Sequence, residues 1–169
     1  MAETGDLAQR RDGAADSATP EQVIAALHSA GLTVALAESL TGGLLCGRLT
    51  EVAGASSVVR GGVIVYSTES KHEVLGVSSA TLETHGAVSE QTAREMAFAV
   101  QRLFASRIGI STTGVAGPDR QEENDVGTVF LGVAIDDRSR VMQLTLEGTR
   151  EQIRALTVDR ALTELAHLS

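Results

Sequence analysis

The spacing of apolar and polar positions divides the chain into short strands and amphipathic helices. Thr19-Pro20-Glu21-Gln22 opens the first element, with a Thr cap, Pro at the first helical position and Gln at the capping-box position. That helix is expected to run to about Ser29 and to end near Gly31. Leu32 to Ala37 is a short, nearly unbroken apolar run, the pattern of a buried strand. Thr41 to Val52 reads as a helix that opens on two glycines, and Val58 to Tyr66 as a β-rich run. Glu69 to Leu75 and Ser78 to Thr84 read as short helices. Ser89 caps a longer helix through about Phe104, with Met96, Val100 and Leu103 among its core positions.

Ile108 to Ser111 reads as a short strand and Thr112 to Asp125 as a loop rich in Gly, Pro and acids. Gly127 to Ile135 and Arg140 to Leu146 form two strands joined by Asp136-Asp137-Arg138-Ser139, a hairpin signal. Thr149 caps the last helix, Gln152 completes its capping box, and Ile153, Leu156, Leu162 and Leu165 supply its apolar face. Strands alternating with helices, followed by one late hairpin, predict an α/β fold: a three-layer α/β/α sandwich on a mixed, mostly parallel sheet.

Composition changes this picture in three respects. Aromatics are 2% of residues, so the core is built from Val, Ile, Leu and Ala, and there is no platform of rings for stacking bases. The net charge is -8 with no basic run, which removes the electrostatic footprint of a nucleic-acid binder. An anionic substrate then needs a local cation to hold it. Cys46 is the single cysteine, which excludes an internal disulfide and a cysteine-based zinc cluster; its apolar helical setting suggests a buried structural thiol. His28, His72, His85 and His167 show no metal-ligand spacing, so no metal and no cofactor are expected. No apolar stretch spans a bilayer and no signal core precedes the first helix, so the expectation is a cytoplasmic protein without membrane contact. Residues 1–18 are expected to be a disordered tail and residues 19–169 one domain, with a homodimer left open.

Four segments place small and polar residues where strands end, which is where open α/β sheets bind ligands. The first is Glu38-Ser39-Leu40-Thr41-Gly42-Gly43, a strand-to-helix turn whose N–H groups could receive an anion. Ser39 reads equally well there as a plain helix cap. The second is Tyr66-Ser67-Thr68-Glu69-Ser70-Lys71, where an ordinary reading gives a solvated lysine. The third, Ser111 to Asp119, includes Thr113 and Gly114 and suits either close backbone approach to a ligand or a plain loop. The fourth, Glu147-Gly148-Thr149-Arg150, presents an arginine at a helix start. Glu38, beside Ser39, could orient the site or point away from it.

Together, in this order and spacing, these segments resemble the CinA C-terminal domain family, the nicotinamide-nucleotide amidases. The resemblance runs from about Val23 to the C-terminus. It is carried by Ala37-Glu38-Ser39 with Thr41-Gly42-Gly43, by Gly61-Gly62 through Tyr66-Ser67 to Lys71, and by Gly76-Val77 and Gly86-Ala87-Val88-Ser89. Thr113-Gly114 through Ala116-Gly117-Pro118-Asp119, Val126-Gly127-Thr128-Val129 and Gly148-Thr149-Arg150 complete it. The resemblance implies a mixed five-stranded sheet similar to the anticodon-binding-domain fold. It implies a serine–lysine pair at Ser39 and Lys71, and pocket positions at Thr41, Gly42, Gly43, Tyr66, Thr113, Gly114 and Arg150. The implied reaction is deamidation of nicotinamide mononucleotide. An extra pyrophosphate-hydrolysing N-terminal domain found in some members is not expected here.

The chain departs from the family pattern at Leu40, where cysteine is frequent, at Arg120-Gln121, where glycines are frequent, and at Thr149, where an acid is frequent. Lys71 can act as a base only when neutral, so its pKa must fall from about 10.4 towards 7–8 through burial or a nearby cation. Arg60 or Arg150 could supply that cation, against an apolar wall of Val63, Ile64 and Val65. Thr113 or the glycine turn could stabilise an oxyanion, and Arg150 a phosphate. Two further readings stand beside this one: a nucleotide-binding or protein-interaction module without turnover, and an amidase for another carboxamide.

Overall fold

Local signals fix both ends of the chain's helical layer. In the computed structural model, which describes residues 17–168, helix α1 (Pro20–Ser29) and helix α6 (Arg150–Ala166) each begin on a complete capping box. Thr19 pairs with Gln22 in the first and Thr149 with Gln152 in the second. The tail expected over residues 1–18 lies, but for its last two positions, outside the described residues.

Between these helices the chain forms β1 (Val34–Glu38), α2 (Leu44–Thr50), β2 (Val59–Ile64), α3 (Thr68–Leu75), α4 (Ser79–His85), α5 (Glu90–Leu103), β3 (Ile108–Gly114), β4 (Thr128–Ile135) and β5 (Arg138–Thr145). The strands make one mixed sheet in the order β2-β1-β3-β4-β5. The β2/β1 and β1/β3 pairs are parallel, and β3/β4 and β4/β5 are antiparallel. Only β4 therefore runs against the other four.

Strand alternation separates two apolar layers. Val34, Leu36, Ile108, Ile110, Leu131 and Val133 pack towards α1, α2 and α6. Ala35 and Ala37 face the opposite way, towards Met96 and Val100 of α5. The second layer is thin because α5 lies almost on the strands. A Cβ at Gly109 would collide with the Ala97 carbonyl oxygen, and one at Gly132 would sit 2.5 Å from the Ala93 carbonyl oxygen. Ser111 uses the same closeness, its hydroxyl donating to the Ala93 carbonyl at 2.6 Å.

Several element boundaries differ from the sequence expectation, each for a local reason. Helix α2 begins at Leu44 rather than Thr41, because Gly42 and Gly43 adopt φ of +58° and +95°. Strand β3 continues through Thr112, Thr113 and Gly114, which pair with Leu131, Phe130 and Val129 and are not a loop. The hairpin turn is the pair Asp136-Asp137 alone, since Arg138 already pairs with Ile135. Leu103 and Leu156 are 55% and 39% exposed rather than core. Leu156 falls beyond the edge of the stripe that Ile153, Thr157, Val158, Ala161 and Leu165 bury.

Candidate active site

The parallel half of the sheet creates a point where the winding reverses. From β1 the chain crosses through α2 to β2 on one side, then returns through α3, α4 and α5 to β3 on the other. The carboxyl ends of the neighbouring strands β1 and β3 meet there, the usual ligand position in such sheets. Ser39 follows β1 directly, and its N–H prolongs the ladder by donating to the Thr112 carbonyl at 3.0 Å.

Alternation along β1 sends Glu38 and Ser39 in opposite directions. The buried Glu38 carboxylate accepts the N–H groups of Gly43 (2.9 Å), Leu45 (3.2 Å) and Cys46 (2.8 Å). It thereby caps α2 and consumes N–H groups that the sequence left available for an anion. Thr41 is fully buried and bonds Thr112 between their hydroxyls at 2.8 Å. Thr41, Gly42 and Gly43 are thus brought close to Ser39, but they form its supporting turn and do not line the adjoining cavity.

That cavity, of about 230 Å³, is walled by Ser39, Leu40, Lys71, Thr113 and Gly114, with Tyr66 and Arg150 among its remaining wall residues. Lys71 is not a surface lysine: it is 2% exposed, and its Nζ donates to Ser39 Oγ at 3.0 Å and to the Val65 carbonyl at 2.9 Å. Ser39 is 7% exposed. Burial lowers the Lys71 pKa from 10.5 to about 8, while the negative charges of Glu122 and Glu69 oppose the shift. No cation contributes, which corrects the expectation for Arg60 and Arg150. Arg60 is exposed on β2, and of the expected apolar wall only Val65 is buried.

The remaining expected residues divide between wall and rim. The buried Thr113 hydroxyl donates to the Ala87 carbonyl at 2.7 Å, which ties β3 to the segment leading into α5 and commits its proton. Arg150 reaches from the first residue of α6 to the rim, where it donates to the Gly117 carbonyl and the Tyr66 hydroxyl, each at 2.6 Å. Tyr66 is 58% exposed. Arg120 also borders the cavity but is paired with Asp125 at 2.9 Å. Among the described residues no group of three His, Cys, Asp or Glu could hold a metal ion. Cys46 is half-buried rather than buried, and burial raises its thiol pKa.

Two contributors were missed. The Glu122 carboxylate accepts the Ala87 N–H at 2.9 Å and acts electrostatically on Lys71; as one of several acids in a polar loop, it gave no sequence signal. Arg154 bonds the carbonyls of Leu40 and Thr41; its signal was its place one helical turn after Arg150.

The fold and site together define an α/β/α domain with a buried serine–lysine pair at the ends of its parallel strands. The chain belongs to the CinA C-terminal domain family, whose model matches residues 16–169. It is similar to the competence/damage inducible protein CihA of Agrobacterium tumefaciens, with 38% identity, 88% of this chain and 92% of that one covered, and a TM-score of 0.84. A CinA superfamily protein of Klebsiella pneumoniae is 32% identical, with 88% and 93% covered and a TM-score of 0.86. A CinA-like protein of Frankia casuarinae is 45% identical over 150 residues, 89% of this chain. The chain spans about a third of the length of the curated relatives it matches, 34% for one from Bacillus cytotoxicus that is 52% identical. Among the described residues no helix is long and apolar enough to cross a membrane.

Proposed function

We propose that this domain is an amidohydrolase that converts nicotinamide mononucleotide to nicotinic acid mononucleotide and ammonia. The observation that carries the reading is the buried Lys71 ammonium held 3.0 Å from the Ser39 hydroxyl at the wall of a cavity. Desolvating an ammonium is costly, and a binding-only module has no use for the cost. With a pKa of about 8, roughly a tenth of the lysine is neutral at pH 7, against a few hundredths of a percent for an ordinary lysine.

Neutral Lys71 takes the Ser39 proton as Oγ attacks the carboxamide carbon. The carbonyl oxygen becomes the oxyanion of a tetrahedral intermediate. Collapse breaks the C–N bond, and Lys71 returns its proton to the leaving ammonia. Water, deprotonated by the same amine, then attacks the Ser39 ester and releases the carboxylic acid. Among the described residues the Leu40 N–H donates no hydrogen bond and Leu40 lines the cavity, so it is a donor available to the oxyanion.

The rim supports a pyridinium nucleotide. The exposed ring of Tyr66 offers a face to a cationic heterocycle. Arg150 is already oriented by Gly117 and Tyr66 and supplies the local positive charge that a phosphate needs on a protein of net charge -8. The test is ammonia release by purified protein from the mononucleotide and from a panel of other carboxamides. The expected result is turnover of the mononucleotide that vanishes in Ser39→Ala. Equal turnover by that variant removes the serine mechanism, and preference for another carboxamide removes the substrate.

A further inference from the structure

We propose that Arg154, which does not border the cavity, is the positioning residue that sets the Leu40 N–H as an oxyanion donor of this site. The inference rests on the amidohydrolase reading above and concerns how its tetrahedral intermediate is stabilised. Arg154 lies on α6, one turn after Arg150, and runs under the turn that carries the nucleophile. Its Nε donates to the Leu40 carbonyl at 2.9 Å and its Nη2 to the Thr41 carbonyl at 3.1 Å. Among the described residues no carboxylate forms an ion pair with Arg154, so its charge is directed at these two peptides.

The consequence follows from peptide geometry. A trans peptide holds its C=O and its N–H antiparallel. The Leu40 carbonyl drawn to Arg154 therefore turns the Thr41 N–H away from it. A second path is one link longer. The Thr41 carbonyl, also held by Arg154, belongs to the peptide whose N–H is that of Gly42. The Gly42 N–H donates to the Ser39 carbonyl at 3.0 Å, and the N–H of that peptide is Leu40's.

Both paths start at one guanidinium and end at an N–H without an acceptor, at the residue after the nucleophile and at the next one. Of the two, Leu40 lines the cavity and its N–H is the one at the wall, while the Thr41 N–H lies in the supporting turn. Each link polarises the next, so a cation at the head strengthens the donors at the tail. Gly42 leaves room for the arrangement: a Cβ there would stand 3.3 Å from Arg154 Nη2.

The test compares Arg154→Met and Arg154→Lys with the wild type in two reactions. One is steady-state ammonia release from the mononucleotide. The other is phosphonylation of Ser39 by a fluorophosphonate, followed by intact mass. In it the Oγ–P bond forms, P–F breaks, fluoride leaves and the proton passes to Lys71. Removing a direct oxyanion donor lowers kcat by ~100- to 1,000-fold, and an effect relayed through peptides is expected at roughly 10- to 100-fold. Arg154→Met should show that loss in both kcat and the phosphonylation rate, with KM within about threefold, since the substrate touches other residues. Arg154→Lys keeps the charge but not the planar fork and should fall between the two.

A purely structural role would instead raise KM and lower thermal stability together. Either variant, folded and within threefold of wild type in both reactions, overturns the proposal. So does a loss confined to KM. If the wild type is phosphonylated at Ser39 but does not release ammonia from the mononucleotide, the substrate reading fails, and a reduced phosphonylation rate in the variants still supports the role of Arg154. If the wild type does neither, both readings fall.

Discussion

Replacing Lys71 with methionine keeps the length and apolar volume of the side chain and removes only its ionisation. A pKa lowered from 10.5 to about 8 by burial means that the folded state disfavours the charged amine by about 3 kcal/mol. The sign of the pH dependence follows from proton counting. Between about pH 8 and 10.5 the unfolded chain holds a proton at this position that the folded chain has released, so stability rises with pH in that window. Below pH 8 both states are protonated and the folded state carries the whole penalty. The wild type should therefore gain about 2.5 kcal/mol relative to Lys71→Met between pH 7 and pH 10. The variant also loses the bonds to Val65 and Ser39, but that loss is an offset nearly independent of pH. Urea unfolding of both proteins at four pH values from 7 to 10 measures the difference directly, and titrations common to both cancel. The same ionisation should appear in kcat/KM, which is expected to rise through about pH 8 to a plateau because the proposed mechanism uses the neutral amine. Parallel stability curves across this range would refute the argument, since they would mean that Lys71 titrates alike in both states.

Glu122→Gln removes a negative charge that holds the Lys71 pKa up, so the acid limb of the kcat/KM profile should move to lower pH; an unmoved or raised limb, read by the same ammonia assay, contradicts the assignment. Arg150→Ala should raise KM far more than it lowers kcat, with a loss of roughly 1.5–3 kcal/mol in kcat/KM. It should also abolish the preference for the mononucleotide over its dephosphorylated riboside, and an intact preference would move the phosphate contact to another residue. Activity should survive exhaustive EDTA treatment; loss on chelation with recovery on adding a divalent ion would show a metal that the reading omits.

The legible part of this molecule was whatever local chemistry decides. Both capping boxes, the buried β1 and the late hairpin follow from residue types a few positions apart. Ser39 and Lys71 were legible only as members of an ordered set of motifs. Locally, each read as well as a cap and as a solvated cation. What lowers the Lys71 pKa is enclosure by segments distant in sequence, and no spacing encodes that. The hydroxyl run Thr112-Thr113 read as loop because its burial depends on pairing with β1 and β4. The glycine turn read as an anion cradle because nothing local reveals that Glu38 faces back into α2 and takes its N–H groups. Arg154 escaped notice for the same reason: its partners lie more than a hundred residues earlier.

The ladder bond from Ser39 to Thr112 divides the site by how soon its parts come loose on warming. Ser39 hangs from β1 and β3, whose interior residues are buried and which belong to the part of such a molecule that opens only with global unfolding. Arg150, Tyr66 and Arg120 stand at an exposed rim, where local opening takes little free energy. Heat should therefore loosen the rim well before it disturbs Ser39. On the amidohydrolase reading proposed above, the domain near the upper end of its working temperature range would lose its grip on substrate while Ser39 stays in place, and added substrate would restore its rate.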